Sequence, residues 1–329
     1  MKRLDYYWYA RSPWLVLLTP LSLLYGVIIR LRRSAYRCGL LRSIRIPRPV
    51  IVIGNITVGG TGKTPLVAWL AEYLRDKGYR PGIISRGYAG GASSWPQQVR
   101  PDSDPGVVGD EAVLLASKTH CPMAVAPDRV AAANALIEYS DCEVILSDDG
   151  LQHYALQRDI EIAVIDGVRR FGTGFLLPAG PLREPASRLQ EVDLIVVNGL
   201  GGDREHPMKM QQGDAHNLLD ANKVCALRDF RSQKVHAVAA IGNPDRFFRS
   251  LQQAGLQLQT HIFPDHHPFQ PDDIRFADGR AVLMTEKDAV KCRYFATAND
   301  WYVPVEARMT DDFCNCLDKL LDTRLSHHG

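Results

Sequence analysis

The apolar run VIVI at 50–53 leads within a few residues to the glycine-rich stretch TVGGTGKT at 57–64, and the helix-like segment KTPLVAWLAEYLRDKG follows without a break. That order of strand, glycine loop and helix constrains the fold more than any other feature of the chain. Loop N–H groups converge on an anion only where a strand ends and a helix begins beside them. Gly59, Gly60 and Gly62 permit close backbone approach, Lys63 adds a point charge, and Thr64 is placed to hold Mg²⁺ on the β- and γ-phosphates. Thr57 occupies the position where the usual pattern has its first glycine, and Val58 and Thr61 fill the intervening places. The segment reads as a nucleoside triphosphate site formed by Thr57, Val58, Gly59, Gly60, Thr61, Gly62, Lys63 and Thr64.

From residue 49 onward, β-branched runs alternate with helical patterns, which is the form of a parallel sheet covered by helices. Strands are expected at 50–53, 82–85, 122–126, 143–147, 160–166 and 193–198, and helices at 63–77, 110–119 and 128–140. Pro65 falls in the tolerant first turn and Gly78 follows as a terminator. The polar stretch at 198–218 lacks periodicity and reads as a loop and boundary. A second series follows, with a strand, turn and helix in KVHAVAAIGNPDRFFRSLQQAG, strands near 256–263, 281–285 and 301–305, and a helix near 311–325. The fold class is therefore α/β. It comprises a P-loop NTPase core at 49–225, a smaller C-terminal α/β lobe at 226–329 with a cleft between the two, and a leader at 1–48.

A triphosphate site needs a carboxylate at the end of a neighbouring strand, and CEVILSDDGLQH supplies Asp148 and Asp149. Gln152 and His153 follow closely enough to line the same site, or are ordinary polar surface residues. Two roles stay open for Arg129 and Arg183: bidentate clamps on phosphate oxygens, or surface salt bridges. Asp110 is placed to cap helix 110–119. Glu286, Lys287 and Asp288 sit where a strand meets a helix, which suits either capping or a place in the cleft.

The net charge is +2, but it is unevenly spread. Residues 1–48 carry ten basic side chains, Lys2, Arg3 and Arg11 among them, against Asp5 alone, a net +9 that leaves −7 for the rest. Those charges flank the apolar run from Trp14 to Ile29, with aromatics just before it, a pattern suited to an anionic membrane surface rather than nucleic acid. Sixteen helical residues span about 24 Å against a hydrocarbon core of about 30 Å, and Pro20 interrupts the run. A whole or broken helix lying in the leaflet is expected, with an ordinary amphipathic helix packed on its own domain as the alternative. The seven cysteines form no C-x-x-C pair and read as reduced, mostly buried thiols.

Seven motifs taken together, GNITVGGTGKTP, SRGY at 85–88, VGDEAVLLA at 108–116, DDGLQH at 148–153, LLPAGPLRE at 176–184, FPDHH at 263–267 and TEKDAVK at 285–291, resemble the tetraacyldisaccharide 4′-kinase family of lipid A biosynthesis. The match is collinear over nearly the whole chain, and there too the loop commonly starts with Ser or Thr. The resemblance implies ATP and Mg²⁺ as cofactors and a membrane-embedded acylated disaccharide 1-phosphate as acceptor, phosphorylated at its 4′-hydroxyl on the cytoplasmic face of the bacterial inner membrane. It implies no nucleic acid and no obligate protein partner. It gives Asp110 the role of proton acceptor and His266 that of its partner; the loop and the acidic strand end by themselves already place Lys63 on the phosphates and Thr64, Asp148 and Asp149 on the metal. A membrane-attached P-loop GTPase or ATPase switch is the competing reading. TEKD would then have to serve as a guanine-reading loop, but it carries its lysine third rather than second.

Overall fold

The computed structural model describes residues 4–9, 13–88, 90–220 and 222–325, so Lys2, Arg3 and Arg11 of the leader lie outside the described residues. The chain divides into two compact units, one of Met1–Arg86, Cys121–Lys209 and Arg308–Gly329, the other of Gly87–His120 and Met210–Ala307. It therefore passes between units four times, where the linear division at 225/226 has one passage. Asp110–Thr119 belongs with the second unit and Asp311–Leu325 with the first.

In the first unit the strands follow the spatial order Glu205–Gln212, Leu194–Asn198, Ile160–Asp166, Val50–Gly54, Val144–Asp148, Pro81–Ser85, Met123–Val125, with every neighbouring pair parallel. A parallel sheet is covered on both faces, so its strands are apolar on both sides. All five residues of Val50–Gly54, Pro81–Ser85 and Val144–Asp148 are accordingly buried. Register places Ile53 beside Asp148, so the entry to the glycine loop and the acidic turn leave adjacent strands at the same edge. Such an edge, where strand order reverses, is where open α/β sheets bind ligands.

Glu205–Gln212 and Ala215–Asn217 are strands within the stretch read from sequence as a loop. Of Glu205–Gln212 only Met208 is buried, so backbone pairing to Leu194–Asn198 holds this strand without an apolar alternation to announce it. Asp311–Leu325 buries Phe313, Leu317, Leu321 and Leu325, one residue per turn, with Phe313 set edge-on to Trp69 of the loop-following helix Lys63–Asp76.

The second unit has a six-stranded mixed sheet in the order Val224–Cys225, Ala215–Asn217, Asp300–Val303, Val282–Thr285, Lys234–Ala239, Gln257–Ile262. The last four are mutually parallel and the first two are joined antiparallel. Phe247, Phe248 and Leu251 of helix Pro244–Gln253 pack with Leu283 and Trp301 in one of its cores. Helix Asp110–Thr119 lies against Glu286–Cys292.

The leader is a 3₁₀ turn, Pro13–Leu18, running into the α-helix Thr19–Arg37. Pro20 therefore starts the α-helix, in the turn where its missing N–H costs nothing, instead of breaking it. The helix does not pack its leucines inward. Ser22 and Gly26 form its buried side, whereas Leu24 and Leu31 are 58% and 65% exposed; in the preceding 3₁₀ turn Leu15 is buried and Leu17 is 71% exposed. A Cβ at Gly26 would lie 2.9 Å from Leu176 Cδ1, the end of a flexible side chain that would have to shift.

Candidate active site

The loop after Val50–Gly54 is shaped by two left-handed glycines, Gly59 (φ 106°) and Gly62 (φ 98°), the second serving as N-cap of Lys63–Asp76. Thr57 has no positive φ. It is buried and forms an antiparallel bridge with Leu182, while the Val58 N–H donates to the Pro181 carbonyl at 2.8 Å. An extended, paired residue at this point has no need of glycine. LLPAGPLRE, distant in sequence, is thus the strand-like support beneath the loop entry, and the Arg183 N–H completes it by donating to the Ile56 carbonyl at 2.7 Å.

Asn55, which sequence reasoning passed over, ties these pieces together. Its Nδ2 donates to the Gly59 carbonyl and the Thr61 hydroxyl, both at 3.3 Å, and its own carbonyl accepts from Gln152 Nε2 at 3.0 Å and Arg183 Nη2 at 3.2 Å. Gln152 also donates to the buried carboxylate of Glu184 at 2.7 Å. Asn55 lies between the strand and the loop, so the dipeptide GN was the available signal.

Asp149, in the left-handed region at φ 50°, receives both guanidinium nitrogens of Arg183 at 2.8 and 3.0 Å and lies 3.6 Å from Lys63 Nζ. Burial alone would raise its pKa, but Lys63, Arg183 and Arg129 outweigh that and hold the carboxyl well below the usual range. Asp148 is buried, with Ser85 Oγ 3.4 Å from its Oδ2. Arg129 is 3% exposed, so it is not a surface salt-bridge residue. It donates to the carbonyls of Ala126 and Asp148, each at 3.1 Å, and braces the acidic turn from behind, and burial lowers its pKa to about 10. His153 Nε2 accepts the Arg129 backbone N–H at 3.4 Å, and burial together with the Arg129 charge depresses its pKa to about 4. It is a neutral acceptor near pH 7, not a cationic phosphate ligand. The leader helix reaches the same turns, with the Tyr25 hydroxyl donating to the Arg183 carbonyl at 3.2 Å and Arg32 to the Gln152 carbonyl at 3.1 Å.

The second unit holds the other set of residues. Gly109 (φ 94°, ψ 142°) precedes helix Asp110–Thr119, and a Cβ on it would sit 2.5 Å from the Tyr88 carbonyl oxygen, which explains glycine in GDE. Gly109 is the N-cap, so Asp110 is the first helical residue instead of the cap. Both Asp110 carboxylate oxygens lie within 3.0 Å of His266 Nδ1. His266 has φ 61°, and its neighbour His267 bonds Asp273 at 2.9 Å, so the two histidines of FPDHH are distinguished by their partners. Burial opposes ionisation of Asp110, but the His266 hydrogen bond and the charges of Lys287, His266 and Lys291 reverse that and lower its pKa. Lys291, 3.8 Å from Asp110, is a second contact that the sequence reading did not assign. Asp288 is structural: fully buried, it accepts from the Thr285 hydroxyl at 2.7 Å and the Ala240 N–H at 3.0 Å. A carboxylate so engaged cannot read a guanine, which removes the physical basis for the switch reading of TEKD.

A family model described as Tetraacyldisaccharide-1-P 4′-kinase matches residues 14–322. The chain is 58% identical over 307 residues to the tetraacyldisaccharide 4′-kinase of Nitrosococcus oceani, covering 93% of this chain and 90% of that protein. It is 51% identical over 311 residues to that of Methylobacillus flagellatus, covering 93% and 92%. Among solved structures it resembles the "apo" form of LpxK from Aquifex aeolicus in complex with ATP, with a TM-score of 0.81, 28% identity, and 94% of this chain and 99% of that one covered. The chain belongs to the tetraacyldisaccharide 4′-kinase family.

Proposed function

We propose that the chain transfers the γ-phosphate of ATP to the 4′-hydroxyl of a tetraacylated disaccharide 1-phosphate, with Asp110 accepting the hydroxyl proton. The observation that carries this reading is the Asp110–His266 contact at 2.9 Å, made by residues 156 positions apart. A nucleotide switch has no use for a carboxylate held ionised by an imidazole and two lysines, whereas a kinase needs one at its acceptor. The hydroxyl oxygen forms its bond to phosphorus as the bond to the bridging β,γ-oxygen breaks. The proton passes to Asp110 and ADP departs. Lys63 and the N–H groups of the glycine loop stabilise charge on the transferred group, and His266 holds the carboxylate in place.

Thr64, Asp148 and Asp149 offer hydroxyl and carboxylate oxygens at the edge where the loop begins, a hard donor set that fits Mg²⁺. Bound there, Mg²⁺ supplies neutralising charge to the β- and γ-phosphate oxygens. Asp149 is paired with Arg183 and Lys63 and sets the position of Lys63, while Thr64 and Asp148 would hold the ion. Arg183 orders Asp149 beside the loop.

An acceptor with four acyl chains resists leaving the bilayer, at about 0.8 kcal/mol per exposed CH₂. The outward leucines of the leader, flanked by arginines, are suited to meeting it in the interface, on the cytoplasmic face, where ATP is available. The expected result for Asp110→Ala in a mixed-micelle assay is a kcat lower by about 10²- to 10⁴-fold with ATP affinity unchanged. Near-normal kcat would remove Asp110 from the reaction.

A further inference from the structure

The Asp110–His266 pair has a third member that the family motifs leave without a role. Lys287 brings its ammonium to 3.4 Å from His266 Nε2, 3.0 Å from Glu111 Oε1, 3.3 Å from Asp265 Oδ1 and 4.0 Å from Asp110 Oδ2. It projects from the first turn of Glu286–Cys292, which is fixed by the Thr285 and Asp288 cap. An ammonium has three donors and no acceptor. The ring nitrogen facing it therefore serves as acceptor, because an N–H at Nε2 would set proton against proton. The hydrogen of a neutral ring then resides on Nδ1, directed at Asp110 at 2.9 and 3.0 Å.

We propose that Lys287 is a positioning residue that fixes His266 as the neutral Nδ1–H tautomer, so that Asp110 meets the acceptor hydroxyl as a carboxylate rather than as half of an imidazolium ion pair. This rests on the reading of Asp110 as proton acceptor. The opposing influences are all present around the ring. On balance the His266 pKa is raised, chiefly by the Asp110 hydrogen bond; burial and the Lys287 charge oppose that rise, and Asp265, 3.8 Å from Nε2, adds to it. Glu111 is held by Lys287, Lys291 lies 3.8 Å from Asp110, and the Tyr88 ring stands 5.3 Å from the imidazole. Without Lys287, the carboxylates of Asp110 and Asp265 would face His266 without its opposing charge, and the imidazolium would be favoured. Asp110 paired to an imidazolium is a weaker proton acceptor.

The test uses the full-length protein with ¹⁵N-labelled histidine, comparing wild type, Lys287→Met, Lys287→Arg and Asp265→Asn. Wild type should show the Nδ1–H tautomer at His266. In Lys287→Met the His266 titration and the acid limb of the kcat profile both move to higher pH, and kcat at neutral pH falls about tenfold with KM for ATP unchanged. Lys287→Arg restores the position of the limb. Asp265→Asn moves the titration the opposite way, which keeps the test decisive if Lys287→Met folds poorly. An Nε2–H tautomer in wild type, or a His266 titration indifferent to Lys287→Met, would overturn the proposal. The resonance readout needs no turnover, so an inactive role for Asp110 would show separately, as normal kcat in Asp110→Ala.

Discussion

At the scale of single residues, the site is built from charges that are ionised because their neighbours compel it. Asp149 shows this in the first unit. Its folded pKa is depressed by Lys63 and Arg183, so the stability it contributes is present above the unfolded value of about 3.9 and is lost as pH falls below it. Asp149→Asn should therefore lower Tm at pH 7, and the gap from wild type should shrink as pH is taken below about 4. A gap of constant size across that window would mean that the lost hydrogen-bond geometry, not the charge, matters. Gly109 makes the corresponding point for the backbone. With φ 94° and the Tyr88 carbonyl 2.5 Å from where a Cβ would stand, Gly109→Ala should cost about 1–3 kcal/mol in denaturant unfolding. It should also displace Asp110, lowering kcat more than ATP affinity.

Among the elements, the leader helix departs most from ordinary packing. Its small and polar residues face the protein and its leucines face outward. That arrangement departs from the ordinary amphipathic packing expected as the alternative, since the side turned to the unit is small and polar and the apolar stripe faces outward. Leu24→Glu and Leu31→Glu together should reduce recovery on anionic vesicles severalfold. Because both side chains are exposed, unfolding free energy should change by no more than about 0.5 kcal/mol each. Unchanged vesicle recovery would assign the stripe another partner. The parallel strands of the first unit were legible in the sequence because burial on both faces leaves continuous β-branched runs such as VIVI. Glu205–Gln212 was illegible for the opposite reason, being held by backbone pairing around one buried methionine. The acidic turn and the glycine loop could be read as partners, but their neutralisation by Arg183 could not, since nothing in the spacing of 55, 149 and 183 announces that they meet.

For the whole molecule, linear order is a poor guide to which unit a segment joins. Residues 87–120, placed by sequence in the nucleotide-binding core, instead form one unit with 210–307, and that is what puts Asp110 beside His266 and Lys287. The terminal helix Asp311–Leu325 returns to the first unit, where Tyr73 donates to Asp318 at 2.9 Å. The pairing of Asp110 with His266 was reachable only through shared motifs, because two residues 156 apart carry no periodic signal. The central claim is that this fold phosphorylates a lipid-linked sugar hydroxyl. The most direct measurement incubates the purified protein with γ-labelled ATP, Mg²⁺ and the tetraacylated disaccharide 1-phosphate in mixed micelles, then locates the label. The account predicts a bisphosphate labelled at the 4′ position, formed only when the acceptor is present. Label appearing solely as inorganic phosphate, at a rate indifferent to the acceptor, would contradict it.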